Sequence, residues 1–196
     1  PVGFNKDFLN IEQNTNIKYD VIYSGNFSHW KGLDVLVEAI SIIKHQYNRD
    51  IKAVLIGAND QTKQQYEDQA KELGVFDNIE IVKRVEHKNI YNYIAQSTVG
   101  VLSNRYDADG LLFTSPLKLY EYLGSGLKVV VSRLPSIESN INESLVYYAT
   151  PEKPESFAKE IIRALDDDDF DINKIKDFSK NYTWESRSKK FMEFIS

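Results

Sequence analysis

The 196-residue chain has no cysteine, one methionine, two tryptophans and three histidines. The missing thiol excludes disulfides, thiolate nucleophiles and zinc-thiolate sites together, so any chemistry must rest on other groups; it also suits a reducing compartment. A basic excess is absent too, since 24 Lys and Arg against 29 Asp and Glu leave a formal charge of −5. Broad binding to nucleic acid or to an anionic membrane needs the opposite balance, so no nucleic-acid partner is expected and any anion site must be local. No apolar run approaches the roughly 20 residues of a bilayer-spanning helix. The opening PVGFNKDFLN lacks the basic region and apolar core of a secretory signal. The expectation is a cytoplasmic domain. Because the chain does not start with Met and its first residues read as a linker, a piece of a longer protein is also expected, with any membrane contact left to the remainder.

Neither G-x-G-x-x-G nor the P-loop pattern G-x-x-x-x-G-K-[ST] occurs. What is present is a regular alternation. YDVIYSG (19–25) is a β-branched apolar run that stops at glycine, which predicts a buried strand. From Lys31 onward, Leu33, Leu36, Val37, Ile40, Ile43 and Tyr47 recur at steps of three and four, the stripe of a helix lying on a sheet. Further strands are predicted at 51–57, 78–82, 98–103, 127–132 and 145–149. Helices are predicted at 61–73, 88–96, from Ser115, near 154–165 and at the C-terminus over 182–196. The longest irregular stretch is 104–114, and 1–18 reads as the remnant of an interdomain linker.

Six short strands alternating with helices require crossover connections. The expected fold is therefore α/β: a doubly wound, Rossmann-like parallel six-stranded sheet with helices on both faces, in one domain over 1–196. Its 42% hydrophobic content can fill such a core. In these sheets ligands bind beyond the carboxyl ends of the strands, where helix N-termini offer free N–H groups to an anion. The run Asp166 to Asp169 lacks the spacing and glycine of a calcium loop, so it reads as a solvated turn and no metal is expected.

Two stretches at those ends can carry chemistry. In GNFSHWKG (25–32), Gly25 allows close backbone approach and Lys31, taken as the start of the helix, adds positive charge, which suits a phosphate. The alternative is a plain turn with a solvated lysine. In SPLKLYEYLGSGLKVVVS (115–132), Ser115 can cap a helix and Pro116 suits its first position. Leu119 and Leu123 should face the sheet with Leu117 and Tyr120 nearby. Lys118 and Glu121, three apart, share the opposite, exposed side: either a surface ion pair worth about 0.3 kcal/mol, or a carboxylate placed to accept two ribose hydroxyls. His29 and His87 sit in ligand-facing turns, and structural or solvated roles are favoured over acid–base ones. Trp30 and Trp184 read as packing residues.

Together these stretches resemble a known family. PVGFN is similar to the P-N-G-V-D entry into the C-terminal domain of the large retaining glycosyltransferase family of the two-Rossmann-domain (GT-B) type, family 4 or glycosyl transferases group 1. YSGNFSHWKGLDVLVEA resembles its G-R-L-x-x-x-K-G-x-x-x-L-x-x-A turn, SPLKLYEYLGSGLKVVVS its S-P-L-K-L-F-E-Y-L-A-x-G-x-P-V-V-A-S segment, and YTWESRSKKFMEFI its final Y-S-W-E helix. The four lie in register over nearly the whole chain.

The resemblance implies a donor-binding half of an enzyme of polysaccharide biosynthesis, acting on a nucleotide-sugar with retention and without a metal or other cofactor, the acceptor-binding N-terminal domain being its missing partner. It implies that Lys31 contacts the diphosphate and Glu121 the ribose, as the two candidate catalytic groups. Gly25, Asn26 and the amides of Ser115, Pro116 and Leu117 would border the phosphates, Arg84 and Val85 the base, with Lys118 and Arg105 as further phosphate contacts. Three departures stand out. The family's phosphate-binding Arg falls on Asn26, its first glutamate falls on Phe113 with Asp109 upstream as a substitute, and its Pro falls on Lys128. Two other readings remain: a sugar-nucleotide epimerase half with the same cleft, and a non-catalytic Rossmann-like module, for which no exposed apolar anchors are evident in the sequence.

Overall fold

The computed structural model describes residues 3–106 and 117–195. Six parallel strands, β1 (Tyr19–Ser24), β2 (Ala53–Ala58), β3 (Ile79–Lys83), β4 (Ser97–Leu102), β5 (Lys128–Ser132) and β6 (Tyr147–Ala149), form one sheet in the order β3-β2-β1-β4-β5-β6. The helices are α1 (Leu33–Gln46), α2 (Asp60–Glu72), α3 (His87–Ala95), α4 (Leu117–Ser125), α5 (Pro135–Glu138), α6 (Pro154–Asp166), α7 (Ile172–Ser179) and α8 (Trp184–Ile195). The α/β doubly wound expectation holds.

Side chains alternate along each strand, so both faces need cover. Val21 and Tyr23 of β1, Leu55 of β2 and Val130 of β5 face a core with Leu36 and Ile40 of α1 and Phe157 and Ile161 of α6. Ile22, Val54, Ile56, Val129 and Val131 face the other, with Ile94 of α3, Leu119 and Leu123 of α4 and Ile175 of α7. The stripe predicted for α1 is buried through Ile43, but Tyr47 lies past the helix end and is exposed, because the chain leaves the sheet there. An Asn59–Thr62 capping box sets the start of α2.

Several expectations change. The segment read as a linker remnant is packed: Phe4, Phe8 and Ile11 are buried, and Phe4 exchanges backbone hydrogen bonds with Tyr182 and Trp184. Apolar spacing too sparse for a helix nevertheless anchors this stretch. Helix α7 was not predicted, because only Ile175 and Ser179 of its eight residues are buried and its periodicity is faint. Helix α8 starts where expected but buries none of its residues. Trp184, Phe191, Met192, Phe194 and Ile195 are exposed, so Trp184 is no core residue and exposed apolar side chains do exist. Among the described residues no helix is long and apolar enough to cross a membrane.

Candidate functional site

Strand order reverses between β1 and β4, where crossovers leave the sheet in opposite directions and a crevice opens at the carboxyl ends. Two adjoining lobes occupy it, sharing Ser24, Gly25, Asn26 and Lys118. One, of about 240 Å³, reaches Trp30, Lys31, Leu102 and Leu117. The other, of about 430 Å³, reaches Ile56, Gly57, Arg84, Val85 and His87.

The turn after β1 is built from its backbone. Tyr23 Oη donates to the Asn26 carbonyl at 2.6 Å. Gly57 approaches so closely that a Cβ on it would stand 1.9 Å from the Gly25 oxygen, and its φ is +121°. Residues 103–105 then hold three successive carbonyls of the next turn. Ser103 Oγ donates to Lys31 O at 2.9 Å, the Arg105 amide to Trp30 O at 2.9 Å, and Arg105 Nε to His29 O at 3.2 Å. Lys31 is thus in a 3₁₀ turn, His29–Lys31, and not at the start of α1, whose N-cap is Gly32 at φ +60°. Only glycine suits that left-handed cap, pressed against the Ser103 carbonyl.

Helix α4 brings Glu121 in from below. The carboxylate, expected on an exposed face, is only 3% exposed, because α4 is wedged among the sheet, α7 and the N-terminal segment and is buried from Leu119 to Ser125. Its polar side therefore faces the crevice. Lys118 Nζ donates to Glu121 Oε2 at 2.6 Å, and His87 Nε2 lies 4.0 Å from Oε1. His87 sits at the first position of α3, edge-on to Phe8 and Tyr91.

Lys31 is half-buried with its ammonium 3.8 Å from the Trp30 ring centre, and no carboxylate among the described residues pairs with it. Burial, with the Lys118 charge as a second cause, pushes its pKa down to about 8. A bound anion would offset both the burial and the repulsion.

Of the residues expected from sequence, Gly25, Asn26, Lys31, Arg84, Val85, Leu117 and Lys118 line the crevice, and Glu121 touches it through Lys118 and His87. Arg105 does not enter it. Its guanidinium is spent on Asp34 and, at 2.8 Å, on Glu152, since it leaves the strand end on the side facing α1. Ser115, Pro116, Asp109 and Phe113 lie outside the described residues. Sequence reasoning missed Ser24, Ser103 and Tyr122. A tyrosine directly after Glu121 stands in the sequence, but nothing in a lone sequence says that it is buried or what its hydroxyl meets.

A doubly wound sheet with a crevice lined by Lys31, Lys118 and Arg84 at its switch point is an arrangement in which α/β proteins take up ligands beyond the strand ends. The chain matches the glycosyl transferases group 1 family over residues 6–183 and belongs to that family. No curated protein sequence matches it. Among solved structures it is similar to a sucrose-phosphate synthase from Thermosynechococcus elongatus (17% identity, TM-score 0.80, 100% of this chain and 51% of that one). It is also similar to Anabaena Alr3699/HepE in complex with UDP and glucose (16%, 0.72, 98% and 55%). A third is the C-terminal domain of the group 1 family protein LpcC from Francisella tularensis (16%, 0.63, 95% and 97%). These likenesses define the GT-B type fold. The chain spans about half the length of the first two and nearly all of the C-terminal domain.

Proposed function

We propose that this chain is the donor-binding half of a glycosyltransferase that takes a sugar from a nucleoside diphosphate, the transfer itself requiring an acceptor-binding half. The observation that carries the reading is the crevice at the switch point, where the half-buried Lys31 ammonium has no acid partner among the described residues while the buried Glu121 carboxylate stands beside it through Lys118. Diphosphate oxygens fit between the Gly25 turn, Lys31 and Lys118, as an anion completes their electrostatics. Glu121 then has its carboxylate free for two ribose hydroxyls once Lys118 turns to phosphate. The base extends into the larger lobe beside Arg84 and Val85.

In such a site the protein's contribution to transfer is positioning the donor and stabilising the negative charge that builds on the departing diphosphate, the work of Lys31 and Lys118. Retention of configuration and independence from a metal follow from the resemblance alone and belong to the same proposal. A structure of a UDP and glucose complex, Anabaena Alr3699/HepE, has the same fold. The epimerase alternative has no observation in its favour. A protein-binding module would find exposed apolar side chains on α8, yet none of them lines the crevice.

Calorimetric titration of the chain with UDP, GDP and ADP tests the proposal. Saturable binding of one of them, lost in Glu121→Ala, is the expected result. Binding of none by the folded chain overturns it.

A further inference from the structure

Resting on the reading above, we infer that Tyr122 is a positioning residue for donor binding, its hydroxyl locking the phosphate-binding turn to the helix that carries Glu121. Parallel pairing of β1 with β4 runs through Ile22 and Gly100. Two residues on, the strands part to open the crevice, and the Ser24 N–H would be stranded in a buried place. Tyr122 Oη accepts it at 2.7 Å and meets Ser24 Oγ at 3.1 Å. The phenol thus replaces a carbonyl of β4 at the point where β4 leaves.

The Tyr122 ring is fully buried and passes over Gly100, where a Cβ would stand 2.5 Å from it. Burial drives the phenol well above its ordinary range, so it keeps its proton while it accepts from the Ser24 amide, and either hydroxyl can donate in its contact with Ser24 Oγ. Ser24 borders both lobes and precedes Gly25 and Asn26, while Tyr122 follows Glu121 directly. One hydroxyl therefore sets the distance between the turn that faces phosphate and the carboxylate that faces ribose. A donor engaging both ends feels an error in that distance; a ligand engaging one end does not.

The test is Tyr122→Phe, which keeps the ring and removes the oxygen, compared with wild type for the nucleoside diphosphate that the wild-type chain binds (from UDP, GDP and ADP) and for its parent nucleoside. Diphosphate affinity is expected to fall about tenfold, the size of one lost net hydrogen bond, while nucleoside affinity, read by ligand-observed NMR, stays within about twofold. An equal loss for both ligands in Tyr122→Phe, or no loss at all, would overturn the inference while leaving the donor-site reading in place. Failure of the wild-type chain to bind any of the three diphosphates removes that reading, and this inference with it.

Discussion

Lys118 Nζ donates to Glu121 Oε2 at 2.6 Å across one turn of α4, and the carboxylate it holds is almost wholly buried. The lysine lines both lobes of the crevice, so this pair stands where a ligand would enter. Removing Glu121 as Glu121→Ala is expected to cost two charge-assisted hydrogen bonds to ribose and weaken diphosphate binding on the order of a hundredfold. Removing only its lysine partner, as Lys118→Met, leaves the buried carboxylate with no ion-pair contact closer than His87 Nε2 at 4.0 Å among the described residues and is expected to lower stability by about 1–3 kcal/mol in urea unfolding. If Lys118→Met unfolds at the wild-type midpoint, the pair is an incidental contact.

The pH dependence of Lys31 has a definite sign. Its folded-state pKa, about 8, lies below the ordinary 10.5, so between those values the unfolded chain holds a proton that the folded chain has released. This group therefore makes stability rise as pH climbs from about 8 to 10.5, and below 8 the buried charge costs its full amount. Anion affinity moves the opposite way, falling as pH passes about 8 and the ammonium is lost. In Lys31→Met the stability slope and the affinity slope should both flatten over this window; persistence of either shows that another group titrates.

Gly57 leaves no room for a side chain, since its Cβ would strike the Gly25 carbonyl at a φ only glycine holds easily. Gly57→Ala is expected to destabilise by about 1–3 kcal/mol and to shift the Gly25 turn enough to abolish measurable diphosphate binding. Crystals of the variant with an unmoved turn would contradict this.

Arg105 ties Asp34, Glu152 and the His29 carbonyl together. Arg105→Ala should therefore lower stability by about 1–3 kcal/mol, with Glu152→Gln reproducing part of the loss. A phosphate-contacting arginine would instead show reduced affinity at unchanged stability, so chemical denaturation beside titration separates the two roles.

Nothing on α8 is buried. Ending the chain after Arg187 is expected to move the melting temperature by less than about 2 °C and to leave unfolding cooperative. A larger drop would mean that the helix packs in solution in a way the structure does not show.

How much of this was legible beforehand differs by element. The strands β1, β2 and β5 are nearly continuous apolar runs because both faces are covered, and such runs stand out in a sequence. Helix α1 shows itself through Leu36, Val37, Ile40 and Ile43, buried along one stripe. Helix α7 hides because its fold-side contact is little more than Ile175. Of the candidate residues, Gly25, Lys31 and Lys118 could be placed near the carboxyl ends of the strands from the sequence, because the apolar runs and the periodic stripes fix where strands end and helices begin, and all three line the crevice. Glu121 was readable as a candidate and misjudged in its exposure, since an i,i+3 Lys–Glu spacing on a helix is identical whether that side meets water or a crevice. Arg105 was misjudged for a related reason: charge can be read from a sequence, but its direction cannot.

By itself the sequence determined the alternation of strands and helices, the absence of thiol chemistry and the places where an anion could be met, all of which follow from local patterns and residue chemistry. Tertiary structure decided the rest. That Arg105 holds a turn and that Tyr122 spans from α4 to the end of β1 depend on residues 76 and 98 positions apart coming into hydrogen-bond range. Such pairings are made by the order of strands in the sheet, and short-range pattern carries no record of them.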